Sequence, residues 1–456
     1  MTGPLLALAL AFGAPGCAST QTLTLQDFLR NAAANDTRFE EILVDRLSLR
    51  YREDARLPAR DLVFSVREEL GVRLDPNGGD DDLSVSVSKL FPKAGTSVEA
   101  SYDLNPVGAS GRASSSAGLT LTQPIAENAF GKSTRLLSKL VGVEVEVARH
   151  QIVEAYEDYF AAITGFYLDW YEAYENLMIA ESSYKENEKL LDNMRARRKA
   201  RVADRIDVDK ITLQVLAKKE RLIQFQERHA SRLNLVRRAL RERAPIDWVP
   251  VRPEGAFAAP EDRAAAAAAF RESGRTFRIL RLLERQSALT TARELDDLLP
   301  SLELFAGVER TGFSRGIVRP REDRALGGFS LLFPLGNQVD RAEAETAKIA
   351  ERKRALGTVN ADWRLSADLD NLALFIGREK ELLDVATQKI GLARSVLDEE
   401  TENYTFGKVS LNDYIESVNR LDSVRFEEID RFVQWRRLNL EWRRLTDSLV
   451  DDAVVR

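Results

Sequence analysis

From Lys132 to Arg201 the chain contains no proline, and Gly142 and Gly165 are its only glycines. A stretch so free of helix breakers reads as one continuous helix. Within it Tyr156, Tyr159, Ile163, Phe166, Trp170, Ala173, Leu177, Ala180 and Tyr184 step alternately by three and four. That spacing is a heptad seam, the pattern of helices packed side by side along their length. Trp435, Leu438, Trp442, Leu445 and Leu449 form a comparable seam. A helix of about 65 residues is ~100 Å long at ~1.5 Å per residue. No compact globular domain needs one, so the pattern predicts an elongated, helix-walled body.

Short alternating segments interrupt the helical text. Phe64, Val66, Leu70, Val72 and Leu74 alternate with polar residues, interrupted by Glu68. Val98, Ala100, Tyr102 and Leu104 do the same, as do Leu119 and Leu121. Leu302, Leu304, Ala306 and Val308 follow, then Phe329, Leu331 and Phe333, and Ser84 to Lys89 reads SVSVSK. Each is a strand with one apolar face. Asp75 to Asp82, Asn105 to Ser116 and Thr311 to Arg324 are polar and turn-rich, as loops at a barrel rim would be.

The chain repeats itself. Pro124 and Pro334 each close a strand and precede a long helix. Arg201 to Asp207 aligns with Gly407 to Asp413, and Leu25 to Phe39 aligns more weakly with Ala265 to Phe277. The expected organisation is a first repeat over 22–244, a linker over 245–260 and a second repeat over 261–450, with strands and loops in 62–124 and 301–334. Each repeat reads helix, strands, long helix, turn, long helix.

Composition removes whole classes of function. Among 456 residues there are two histidines, His150 and His229, and one cysteine, Cys17. That leaves almost nothing for a His/Cys metal site or a histidine base. No nucleophile elbow or phosphate loop is present. The net charge of −6 offers no basic field for nucleic acid. Neither a cofactor nor a metal is expected. Both histidines read as ordinary surface residues, Arg195 to Arg201 as a solvated basic run or a basic contact for an acidic partner, and Asp80 to Asp82 as a loop tip with at most a weak hold on a divalent cation.

Leu5 to Phe12 is an apolar run of signal-peptide length. Residues 1–17 are read as a signal peptide ending in a lipobox-like Ala14-Pro15-Gly16-Cys17, with Cys17 the candidate lipidation site. Either ordinary cleavage or lipidation exports the chain. The absence of cysteine after Cys17 suits an oxidising compartment. No apolar run approaches the ~18 residues of a membrane helix.

The order of elements, the two halves, the strand ends LTQP and FPLGN, and the segment YTFGKVSLNDYIESVNRL together resemble the TolC-type outer-membrane efflux proteins. The likeness covers about Thr22 to Val450. It implies a mainly α fold with a transmembrane β portion: duplicated long helical hairpins plus about four strands per protomer. Three protomers would share a 12-stranded barrel and a periplasmic α-helical tunnel. The chain offers six strand segments, so two are in excess. The hairpin at about Ser84 to Leu104 is either an insertion or part of an extended barrel. The resemblance further implies a homotrimer in the outer membrane of a Gram-negative bacterium, contacting outer-membrane lipid and extending into the periplasm. Its partners would be a periplasmic adaptor and an inner-membrane pump.

The resemblance also assigns roles at the two helix-hairpin tips. Gly407, Ser410 and Asp413 fit the family pattern of a glycine, a small residue three on and an aspartate six on. Arg201, Asp204 and Asp207 stand at the matching first-tip positions, and Arg201 puts that turn's geometry in question. Arg201, Val202, Ala203 and Asp204, with Gly407, Lys408, Val409 and Ser410, would dock the adaptor. Asp413 and Glu416 would ring the pore constriction, although an acid at Asp413 also suits a helix N-terminus. Tyr404 and Asp207 would form a closed-state latch, and Val409 stands where the family has an arginine partner. A second reading remains open from the residues: a periplasmic coiled-coil lipoprotein scaffold without transport.

Overall fold

The computed structural model describes residues 21–57, 61–72, 79–105, 114–242, 246–255, 262–312 and 321–450. Cys17 and the leader expected at 1–17 lie outside the described residues, as do 73–78, 106–113 and 313–320 in the polar loops and most of 256–261 in and beside the linker. The chain falls into two compact units. One takes the first 43 residues with Val153–Glu272 and Ser366–Arg456. The other takes Val44–Ile152 and Ser273–Leu365.

The duplication is written in the element lengths. The first half runs β1 (Gln21–Leu23), α1 (Leu25–Asn35), α2 (Thr37–Arg56), β2 (Leu62–Val72), β3 (Gly79–Phe91), β4 (Thr96–Asn105), β5 (Ser114–Pro124), α3 (Lys132–Lys199) and α4 (Arg205–Leu240). The second runs β6 (Trp248–Pro250), α5 (Arg263–Ser273), α6 (Arg275–Asp297), β7 (Ser301–Gly312), β8 (Arg321–Leu332), α7 (Gln338–Thr405) and α8 (Leu411–Leu445). Helices α3 and α7 have 68 residues each, and α4 and α8 have 36 and 35. The stretch expected to be a plain linker contains β6, which pairs in parallel with β1. Three residues are too few for any periodicity to announce them.

In the first unit, Thr24 caps α1 by accepting the Asp27 N–H at 3.2 Å. That fixes the entry angle of α1, whose Leu25, Phe28 and Ala32 are buried with Ile163, Tyr167, Trp170 and Val236. The Tyr167 hydroxyl accepts the Val251 N–H at 2.9 Å and lies 2.8 Å from the Leu23 carbonyl, joining the ends of β1 and β6. The seam from Tyr156 to Tyr184 is core: all but Phe166 and Tyr184 are buried. The second seam is rotated from its expected place. The buried face of α8 carries Val418, Asp422, Ile429, Val433, Arg436 and Leu440; of the expected seam Trp442 is buried, whereas Trp435, Leu438 and Leu445 are half-exposed. Buried charges on that face hide it from a purely apolar pattern.

In the second unit, β2, β3, β4, β5, β7 and β8 form one antiparallel sheet in that order. The hairpin of β3 and β4 lies inside this sheet, so six strands stand where the resemblance implied about four. Registers Phe64↔Val87↔Ala100↔Leu119↔Val308 and Leu304↔Phe329 place most apolar residues of every strand on one face, with Val63, Leu90, Phe305 and Leu326 on the other. On that face Phe64, Val66, Leu119, Val308 and Phe329 are exposed. The other face carries Ser86, Ser101, Asp103, Thr120 and Glu309.

Candidate functional site

The two helix-hairpin tips pack together in the first unit. Leu191 and Met194 of α3, Val208 and Ile211 of α4, and Leu411 of α8 form a buried cluster that Ala203, Tyr404 and Ile415 border. Both turns share one geometry. Arg201 and Gly407 have φ of 60° and 71°. In the first turn the Val202 N–H reaches the Arg197 carbonyl at 2.9 Å; in the second the Lys408 N–H reaches the Asn403 carbonyl at 2.9 Å. This is a helix C-terminal stop closed by a left-handed residue. Arg201 therefore keeps the family-like turn that its side chain put in question, at a steric cost of roughly 1–2 kcal/mol relative to glycine.

Each turn is followed at once by a helix N-terminus. Ser410 caps α8: its hydroxyl accepts the Asp413 N–H at 3.3 Å and donates to the Asp413 carboxylate at 2.7 Å. Asp204 holds the same place before α4 without a side-chain cap bond. Asp413 and Glu416 are both exposed, and Glu416 pairs with Arg420 at 3.0 Å. Asp413 thus completes a capping pair while leaving its carboxylate open to solvent. Arg201, Val202, Lys408 and Gly407 are exposed, and Ala203 and Val409 are half-exposed, so the tips offer an accessible surface.

Tyr404 and Asp207 lie on facing helix ends. The Tyr404 hydroxyl donates to Met194 Sδ at 3.2 Å, its ring stacks on Tyr414 at 5.1 Å, and the Arg197 guanidinium sits 5.3 Å above it. Burial pushes the Tyr404 hydroxyl above the ordinary tyrosine range; the Arg197 charge opposes that shift, and the Asp207 charge adds to it. The two expected latch residues are therefore electrostatic neighbours, with the hydroxyl's hydrogen bond taken by sulfur.

Sequence reasoning missed a buried polar group further along the same helices. Asp422 of α8 accepts from Lys218 Nζ of α4 at 2.6 Å and from the Ser183 hydroxyl of α3. Nearby, Gln214 Nε2 donates to Asn419 Oδ1 at 2.7 Å. Lys218 and Asp422 are 204 apart, and Gln214 and Asn419 are 205 apart. Asp207 and Asp413, at matching tip positions, are 206 apart. Residues within one or two positions of correspondence in the repeats thus face one another between α4 and α8. Complementary residues at the repeat offset were the available signal.

His229, expected at the surface, is half-buried and accepts the Trp170 indole N–H at 3.3 Å, and burial holds its pKa below the ordinary histidine range. Glu154, Glu157 and Asp447 bring carboxylate oxygens within 4.8 Å of one another. Glu157 already accepts the N–H groups of Leu449 and Val450 at 3.1 and 3.0 Å, which anchors the segment after α8. Among the described residues no helix is long and apolar enough to cross a membrane.

No protein-family pattern and no curated protein sequence matches the chain. Solved structures do match over nearly its whole length. The channel protein CusC superposes with a TM-score of 0.70 at 10% identity, covering 96% of this chain and 95% of that one. The open state of the outer-membrane channel MtrE of Neisseria gonorrhoeae gives 0.69 at 12% identity, covering 93% and 89%. The outer-membrane protein VceC of Vibrio cholerae gives 0.68 at 12% identity, covering 93% and 95%. The chain therefore has the fold of these outer-membrane channel proteins, as the order of its motifs led one to expect.

Proposed function

We propose that the protein is a passive outer-membrane exit duct working in a tripartite efflux or type I-like export system. The observation that carries this reading is the sheet. Its apolar face is exposed on β2, β5, β7 and β8 and half-exposed on β3 and β4, and its polar face is opposite. A face of that kind is costly in water and favourable in lipid. A coiled-coil scaffold has no use for it, which disfavours the non-transport alternative. The fold shared with outer-membrane channels supports the same reading, and no catalytic step belongs to it.

Two features support association of copies into a homotrimer. A single sheet of this size cannot close on itself. Helix α7 also carries an uncovered apolar stripe at heptad spacing, Ile349, Leu356 and Trp363, with Trp363 73% exposed. A neighbouring copy is the natural cover for both. The exposed tip turns at Arg201–Asp204 and Gly407–Ser410 would meet a periplasmic adaptor, and an inner-membrane pump would supply the energy.

At the tips, Asp413 and Glu416 of three copies would set six carboxylates around one axis. Such a ring attracts cations, repels anions, and raises some carboxyl pKa values by crowding. The test is single-channel recording in planar bilayers of wild type beside Asp413→Asn/Glu416→Gln. These substitutions keep the shape and the acceptor at the helix start while removing charge. Cation selectivity that collapses in the variant is the expected result. Unchanged selectivity would remove the carboxylates from the constriction. A folded protein that never enters a bilayer would overturn the duct itself.

A further inference from the structure

The sheet departs from the architecture that the resemblance implies by one whole hairpin, and three observations make that hairpin part of the wall. First, β3 and β4 are paired along their length on both sides, to β2 and to β5, with no break in the ladder. Second, they keep the alternation of their neighbours: Val85, Val87, Val98, Ala100 and Tyr102 fall on the apolar face, where Lys89 near the turn is the exception, and Ser86, Ser88, Glu99 and Ser101 fall on the polar one. An insertion folded over the surface has no reason to keep that register. Third, the turn between them is fitted to the start of α3. A Cβ at Gly95 would lie 2.6 Å from the Gly131 nitrogen, and one at Gly131 would lie 2.7 Å from the Gly95 nitrogen. Both glycines have positive φ, so neither accepts a side chain there. Gln123 Nε2 donates to the Ala94 carbonyl at 3.0 Å, and Arg135 donates to the Lys93 carbonyl at 2.7 Å.

The sheet's two edges, β2 and β8, have no partner strand among the described residues. Unpaired backbone groups cannot face hydrocarbon. Six strands that alternate in direction leave β8 antiparallel to a β2 brought beside it, so copies can join edge to edge in one continuous antiparallel ladder. The polar face holds a concavity of about 540 Å³ lined in part by Arg67, Glu69, Ser84, Asp103, Ser116 and Glu309.

We infer that three copies close an 18-stranded barrel, β8 of one protomer pairing with β2 of the next, instead of the 12-stranded barrel that four strands per protomer would build. The inference rests on the trimeric duct reading above. With strands ~4.8 Å apart and tilted by ~40°, 18 strands enclose a backbone cylinder about 36 Å across, against about 24 Å for 12. The open cross-section roughly doubles. A barrel that wide does not select among small solutes, so discrimination falls to the helical part of the duct.

Cryo-electron microscopy of the full-length oligomer in lipid nanodiscs tests this directly. The expected map has three protomers, 18 strands and a β8–β2 seam. A trimer with a 12-stranded barrel and the β3–β4 hairpin outside the wall overturns the inference and leaves the duct reading standing. A protein that forms no membrane-embedded trimer overturns both. Cysteine labelling gives an independent readout, because the parent chain has no cysteine beyond Cys17. In Val87→Cys and Ala100→Cys the thiol should face lipid and react with a water-soluble maleimide at least tenfold more slowly than in Ser86→Cys and Ser101→Cys. Equal reactivity at all four positions places the hairpin in water and refutes it.

Discussion

At the residue scale, the long helices are held by groups that look unremarkable in the sequence. Lys218 and Asp422 are both buried, and each neutralises the other away from water. Removing one partner strands a charge, which typically costs about 3–5 kcal/mol, whereas replacing the pair with apolar residues is often neutral. Lys218→Met should therefore lower the midpoint of chemical unfolding sharply, and Lys218→Met/Asp422→Leu should recover most of the loss. His229 gives a pH signature. Its neutral ring accepts the Trp170 N–H, and its folded pKa is depressed by burial. A depressed histidine contributes stability that is present above its ordinary value of about 6.5 and is lost as the pH falls through the folded value. Thermal unfolding followed from pH 7.5 to 5 should show wild type losing stability that His229→Phe does not lose.

At the element scale, the hairpin tips show local chemistry choosing between equivalent solutions. The second turn uses Gly407 for its left-handed residue, and the first uses Arg201 at nearly the same φ. The difference is a steric penalty without a change of shape, because backbone hydrogen bonds at 2.9 Å close both turns in the same way. Arg201→Gly should then stabilise the fold by up to about 1 kcal/mol, offset in part by the freer unfolded chain. Equilibrium unfolding in urea measures it. A loss of stability would mean that the Arg201 side chain makes a stabilising contact in the assembly. The latch pair expected from the resemblance is near in space, but Met194 takes the Tyr404 hydrogen bond and Arg197 covers the ring. No spacing in the sequence announces a sulfur acceptor on another helix.

At the scale of the whole molecule, the exposed apolar surfaces are of two kinds, and a single test separates their roles. The sheet face calls for lipid, whereas the Ile349, Leu356 and Trp363 stripe of α7 calls for another helix. Leu356→Asp/Trp363→Asp places charge on a face that is uncovered in one chain, so protomer folding should survive with helical content unchanged. Association should fail, read as loss of the trimer by native mass spectrometry or light scattering. An intact trimer would show that this stripe is not the contact between copies.

The sequence by itself determined the kinds of element and their order. Heptad spacing, two-residue alternation, turn-rich loops and the twofold recurrence are properties of local text, and local text sets which face of a helix or strand is apolar. The long helices and the six strand segments were legible for that reason. Only the tertiary structure decided where the hairpin of β3 and β4 goes, because membership of a sheet is a hydrogen-bonded ladder between strands, and the alternation of one strand does not name its partners. Only it revealed β6 beside β1, the rotated face of α8, and the pairing of Lys218 with Asp422. Each depends on a partner more than 200 residues away or on a buried charge, and the apolar periodicity of a single segment carries no record of either.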